Sequence, residues 1–243
     1  MAFDAVVLAG GRASRLGGTD KPGLVVGART LLASVVAAAD SAGAQRIVVV
    51  GPARPELADR VAFVREDPPE SGPVPALRRG LAQVCAPTVA VLAADLPFLR
   101  ARHLRILLGA LPVEPARPTR LASPAGPGGP LSGVIMVDDG GRRQWLAGCW
   151  RTAVLRTAMQ AYSGNSLHRL LGPLDPALLT PAQLDPAQRR YDLARGEPPP
   201  WLDCDTADDL TRARRLAQWY PLGDTRPGDV GPRQTQQERE TRR

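Results

Sequence analysis

The chain has 243 residues, 44% hydrophobic and 23% charged, which suits one globular domain of about 200 residues with a full core, plus a tail. Its net charge of +7 comes from scattered arginines rather than a basic cluster, so nucleic-acid binding is not indicated; a basic surface also suits phosphate-rich small molecules. No run of about 18 apolar residues predicts a membrane span, the start MAFDAVVLAGG does not read as a secretory signal, and three well-separated cysteines (Cys85, Cys149, Cys204) suggest buried thiols in a reducing compartment. The expected location is the cytoplasm.

In chain order, Phe3 to Ala9 is an apolar run that ends in Gly10-Gly11. Leu31 to Ala42 carries apolar residues at a helical period. Ile47 to Val50 reads as a buried strand, and Val61 to Val64 as a short one. Val74 to Val84 is a helix after Gly72-Pro73, Thr88 to Ala94 another central strand, and Ala101 to Leu111 a helix. Such alternation predicts βαβ units: a Rossmann-like, three-layer α/β/α fold around a mostly parallel sheet.

The Pro-, Gly- and Arg-rich stretch 112–130 reads as an irregular connection. Gly133 to Val137 and Trp145 to Trp150 look like strands joined at Asp138-Asp139-Gly140-Gly141, a hairpin signal that makes one strand antiparallel. Helices are expected at Thr152 to Tyr162 and Ser166 to Leu171. A last helix, between Asp205 and Tyr220, has Thr206 as a cap and Asp209 three residues on. The domain is expected to span 1–221, and the polar residues 222–243 to be a disordered tail.

Four segments carry chemistry. The first is Leu8-Ala9-Gly10-Gly11-Arg12-Ala13-Ser14-Arg15-Leu16-Gly17-Gly18-Thr19-Asp20-Lys21. It follows the first predicted strand, where α/β sheets bind ligands. Its glycines let backbone N–H groups approach phosphate oxygens. Arg15 and Lys21 add the charge that a triphosphate requires, and Lys21 is the only lysine of the chain. The second is Arg65-Glu66-Asp67-Pro68-Pro69-Glu70-Ser71-Gly72-Pro73, in which a carboxylate can accept from a nucleobase edge or a ribose hydroxyl. In the third, Ala94-Asp95-Leu96-Pro97, an Asp at the end of a very apolar strand needs a partner or a cation. Mg²⁺ favours one or two carboxylates plus substrate phosphates. The fourth, Leu202 to Leu210, contains Asp205, which either supports a metal or caps the last helix; capping is slightly favoured.

The run LAGG-x₃-R-x-G-G-x-D-K closely resembles the signature of the molybdenum cofactor guanylyltransferases, within the nucleotidylyltransferase superfamily. The resemblance extends over about residues 4 to 215. It implies transfer of GMP from GTP to the phosphate of molybdopterin, with Mg²⁺ as cofactor and transient contact with other molybdenum cofactor biosynthesis proteins. By position, Leu8, Ala9, Gly10, Gly11, Lys21, Asp67, Gly72 and Asp95 match nucleotide-binding residues. Arg15, Lys21 and Asp95 fall at catalytic positions, and Asp95, with Asp205, at metal positions. Where the family has a small residue and glycine after Gly-Pro, this chain has Val74-Pro75-Ala76, and Ala207 replaces a usual proline.

Asn165 to Arg169 resembles the family's segment near the acceptor site, which implies that it, with Arg142-Arg143 and Arg151, meets the acceptor phosphate; solvated arginines are the other reading. His103 and His168 take no catalytic role. Two other readings stay open: a transferase using CTP or another phosphorylated acceptor, and a non-catalytic nucleotide-binding module.

Overall fold

A computed structural model describes residues 1–10, 20–111, 131–184 and 198–220 of the chain. The expected connection at 112–130 and tail at 222–243 lie outside the described residues, as do Gly11, Arg12 and Arg15 of the glycine-rich run.

Nine strands and seven α-helices are described. β1 (Phe3–Leu8), β4 (Ile47–Val50), β5 (Ala62–Val64) and β6 (Thr88–Ala93) form the parallel half of a seven-stranded sheet. β7 (Gly133–Val137), β8 (Arg143–Arg151) and β9 (Ala177–Leu179) extend it. The order is β5-β4-β1-β6-β8-β7-β9. β8 runs antiparallel to both neighbours, while β7 and β9 return to the common direction, so the sheet has the single antiparallel strand expected from the hairpin signal.

Helices cover both faces. α1 (Leu31–Ala42) and α3 (Ala101–Ala110) pack on one; α2 (Pro73–Leu81), α4 (Thr152–Ala161) and α5 (Leu167–Leu171) on the other. Strand residues divide by alternation. Ala5 and Val7 of β1 and Ala90 and Leu92 of β6 join the core under α1 and α3. Val6, Leu8, Val89 and Val91 join the core under α2 and α4. A strand that is apolar on both sides can only be buried this way, so continuous runs such as IVVV become central parallel strands.

Three elements escaped the periodicity. The hairpin of β2 (Val25–Val26) and β3 (Arg29–Thr30), the edge strand β9 and the short helix α6 (Pro181–Leu184) are too brief to show a period. The hairpin packs with α7 (Ala207–Ala217) in a small core of Val26, Leu31, Phe98, Cys204, Leu210 and Ala213. That core ties the chain after Lys21 to the chain after Asp205. Cys149 and Cys204 are buried, as expected, but Cys85 is exposed, because it lies in the turn before β6.

Candidate functional site

The parallel strands end in register. Leu8 pairs with Val50 and Ala93, and Val50 pairs with Val64. The loops that follow therefore leave one edge of the sheet at the same level: Ala9-Gly10 after β1, Gly51 after β4, Arg65-Glu66 after β5 and Asp95 after β6. Gly51 is required there, since a β-carbon would stand 2.9 Å from the Ala9 carbonyl oxygen. β8 reaches the same edge from the opposite direction: Ala147 pairs with Leu92, which leaves Arg143 to Leu146 projecting past the end of β6.

Lys21 stands in a short 3₁₀ turn, Lys21–Gly23, that leads into the β2–β3 hairpin. Its Nζ donates to Asp95 Oδ2 in a very short ion pair. It also donates to Asp205 Oδ1 at 2.5 Å. Burial pushes the ammonium's pKa down, but the facing carboxylates of Asp95 and Asp205 more than offset this, so the net shift is upward. Asp20, next in the chain, pairs with Arg54 at 2.5 Å and anchors the segment to the loop after β4.

Asp205 does not cap α7. Thr206 is the cap: its side chain accepts from the Asp209 N–H at 3.1 Å, while Asp209 accepts from the Thr206 N–H at 2.9 Å. The slight preference for Asp205 as a cap is thereby corrected. With the helix end satisfied by its neighbours, the Asp205 carboxylate is left to face Lys21. Asp203 completes an acidic group; partial burial and the carboxylates of Asp205 and Asp95 raise its pKa above the ordinary value.

These acids line one side of a cleft of about 670 Å³. Arg142, Arg143, Gln144, Trp145 and His168 line it too. The Arg143 guanidinium lies 5.6 Å from the centre of the Trp145 ring. His168 meets that ring edge-on, at 5.6 Å and 82°. The cleft is thus anionic at Asp95 and cationic at β8, which suits a ligand carrying both phosphate and a bridging cation.

The residues expected from the sequence divide as follows. Leu8, Ala9, Gly10, Lys21, Asp95 and Asp205 gather at this edge. Gly11 and Arg15 lie outside the described residues. Gly72 precedes α2 with φ +113°, a conformation that favours glycine. Asp67 is exposed, whereas its neighbour Glu66 is buried. Arg142 and Arg143 line the cleft, but Arg151 does not: it pairs with Thr88 at the opposite end of the sheet, where its Nε donates to the Leu131 carbonyl at 2.9 Å. A nine-residue strand separates it from Arg143 by about 26 Å. His103 is a buried cap of α3 whose Nδ1 accepts from the Arg100 N–H; burial lowers its pKa to about 3, so it is neutral and structural. His168 lines the cleft beside Trp145. Sequence reasoning passed over Trp145, whose only signal was its place at the start of a strand, and Arg54 and Asp203.

The donor set fits a small, hard cation. Two carboxylate oxygens converge on one point, now held by an ammonium, and both are oxygen ligands of the kind Mg²⁺ prefers. Among the described residues no group of three His, Cys, Asp or Glu side chains forms a cage able to hold a metal alone. Phosphate oxygens would complete such a site.

Comparison with known proteins agrees with this architecture. A family model described as a MobA-like NTP transferase domain matches residues 5–178. Among solved structures, the chain is similar to the molybdopterin-guanine dinucleotide biosynthesis protein A of Archaeoglobus fulgidus (16% identity, 89% of this chain and 99% of that one, TM-score 0.59). It is also similar to the 2-C-methyl-D-erythritol 4-phosphate cytidylyltransferase of Thermus thermophilus (20% identity, 90% and 100%, TM-score 0.57). A third is Rv0371c of Mycobacterium tuberculosis in complex with manganese (18% identity, 88% and 98%, TM-score 0.59). At such identities the likeness establishes the fold. No curated protein matches the chain.

Proposed function

The chain belongs to the MobA-like NTP transferase family, and on that premise we propose that this nucleotidyltransferase moves GMP from GTP to the phosphate of molybdopterin, releasing pyrophosphate. The observation that carries the reading is the meeting of Lys21, Asp95 and Asp205, residues 74 and 184 positions apart, at the mouth of an arginine-lined cleft.

The chemistry asks little of covalent catalysis. An acceptor phosphate oxygen forms a bond to the α-phosphorus while the bond to the bridging oxygen breaks, and pyrophosphate leaves with that electron pair. The acceptor is already anionic, so no strong base is needed; positioning and electrostatics carry the rate. Leu8, Ala9 and Gly10 bring backbone close to the phosphates, joined by Gly11 and the charge of Arg15. Lys21 supplies a permanent cation. Asp67 and Gly72 border the nucleoside. Arg142 and Arg143 hold the acceptor phosphate, and the Trp145 face offers a flat wall for the rest of that molecule.

Asp95, assisted by Asp205, would hold Mg²⁺, which supplies neutralisation of charge on the phosphate oxygens when bound. The manganese in the Mycobacterium structure supports a divalent ion at such a fold. Among the described residues no helix is long and apolar enough to cross a membrane; a cytoplasmic location is part of the proposal. A cytidylyl donor is the second reading, favoured by the likeness to a cytidylyltransferase. Pyrophosphate release with GTP, CTP and UTP, each with and without molybdopterin, tests both. GTP with molybdopterin is expected to be fastest; release only with CTP selects the second reading, and release with none rejects the proposal.

A further inference from the structure

The turn that carries Lys21 is pinned at its two ends rather than in its middle. None of its three residues, Lys21–Gly23, is fully buried, so the turn has no core of its own. Downstream, the Leu24 carbonyl accepts from the N–H of Leu31, the first residue of α1, at 2.9 Å. Upstream, Asp20 Oδ1 accepts from Arg54 Nη2 at 2.5 Å. Arg54 is a rigid post. Its carbonyl accepts from the Leu57 N–H at 3.0 Å, and Leu57 belongs to the core under α1 and α3. The Arg54 side chain is itself only 14% exposed. The other Asp20 oxygen lies against Gly23. A β-carbon built on Gly23 would overlap Asp20 Oδ2 and stand 3.0 Å from Arg54 Nη1, so only glycine lets this carboxylate fold back over its own turn.

We propose that Asp20 and Arg54 form a positioning clamp for Lys21, and that Gly23 is the residue that lets the clamp close. This rests on the nucleotidyl-transfer reading of the site and adds to it the means by which the ammonium is aimed. A lysine is a point charge on a flexible four-carbon stem. It stabilises developing phosphate charge only if the base of that stem is held still. Asp20 is the preceding residue, so the clamp fixes the chain about 3.8 Å from the Lys21 Cα. From there the ammonium reaches Asp95 and Asp205. Those contacts can exchange for a phosphate while the Asp20–Arg54 pair stays closed. Neither Asp20 nor Arg54 lines the cleft, so both act through Lys21. An ion pair whose carboxylate is 59% exposed adds little to global stability. Its loss therefore belongs in the rate rather than in unfolding.

Double-mutant cycles test the clamp, because residues that act through one another do not lose activity independently. Asp20→Asn, Arg54→Gln and Gly23→Ala are each made alone and together with Lys21→Ala. Pyrophosphate release then gives kcat and KM with Mg²⁺, molybdopterin and either GTP or CTP, whichever wild type uses faster. Gly23→Ala removes no charge; the atom that must yield is the end of the Asp20 side chain, so the protein folds while the carboxylate swings off Arg54. Each single variant is expected to lower kcat about tenfold, as a small misplacement of a catalytic group does, with the nucleotide KM within about twofold of wild type. On top of Lys21→Ala the same changes should cost nothing more. Losses that multiply with that of Lys21→Ala mark a merely structural pair and overturn the inference. So does wild-type kcat in Asp20→Asn and Gly23→Ala, or a raised KM with kcat unchanged. If one variant fails to fold by circular dichroism, the other two carry the cycle. Wild type that releases no pyrophosphate with either nucleotide rejects the nucleotidyl-transfer reading and the clamp with it, whereas the outcomes above overturn the clamp alone.

Discussion

The two ends of the central strands treat their aspartates in opposite ways. Asp4, at the start of β1, is 1% exposed, and one of its oxygens accepts from the backbone N–H groups of Cys85 and Ala86 at 2.7 and 3.0 Å. Asp95, after β6, is matched by a side chain 74 residues away, in a cleft open to solvent, where Asp205 and Asp203 crowd the same space. Backbone amides cannot leave, so Asp4 is fixed for good and serves the fold. An ammonium on a flexible stem can exchange its partners, so Asp95 is neutralised yet remains available to a cation, and Lys21 to a phosphate. The difference separates an acid locked into the fold from one whose partner can exchange more sharply than burial alone does.

Substitutions at the two ends should part accordingly. The largest effect is expected for Lys21→Ala and Asp95→Ala: pyrophosphate release should fall by about 100-fold or more, as for removal of a group that stabilises transition-state charge, with the fold intact by circular dichroism. Near-normal turnover in both would erase the contrast. Asp205→Asn should be milder, raising the Mg²⁺ concentration for half-maximal rate about tenfold, while α7 stays capped by Thr206 and Asp209. At the other end, Asp4→Ala should remove the acceptor of the Cys85 and Ala86 N–H groups, the second of them buried, costing about 1–3 kcal/mol in denaturant unfolding, with turnover per folded molecule unchanged.

The smallest effect belongs to Asp203. Its raised pKa means that the folded state holds this proton more tightly than the unfolded state does. Stability should therefore fall as pH rises through the window between the ordinary carboxylate value and the raised one, and ionised Asp203 is a net cost at neutral pH. Asp203→Asn should give a slightly higher Tm at pH 7, a difference that closes as pH falls below the ordinary value.

Much of this contrast was legible in the sequence. Lys21 stood out because every other basic residue is arginine, and Asp95 because it ends the most apolar strand. Both signals are local, as are the periodicities that placed α1, α3 and the central strands. What stayed hidden depends on distant parts of the chain. Whether Asp205 or Thr206 caps α7 turns on which side chain reaches the first helical amides. The position of Trp145 in the cleft follows from the register of β8 against β6. Which of the adjacent carboxylates Glu66 and Asp67 turns inward was hidden too, since only the course of the backbone past the end of β5 buries Glu66 and exposes Asp67.

The central claim is that Lys21, Asp95 and Asp205 share one pocket for a triphosphate and its cation. Electron paramagnetic resonance of Mn²⁺ added to the GTP-bound protein tests it most directly. The account predicts a protein-bound Mn²⁺ signal in wild type, weaker in Asp205→Ala and lost in Asp95→Ala; a signal of unchanged strength in Asp95→Ala would contradict it.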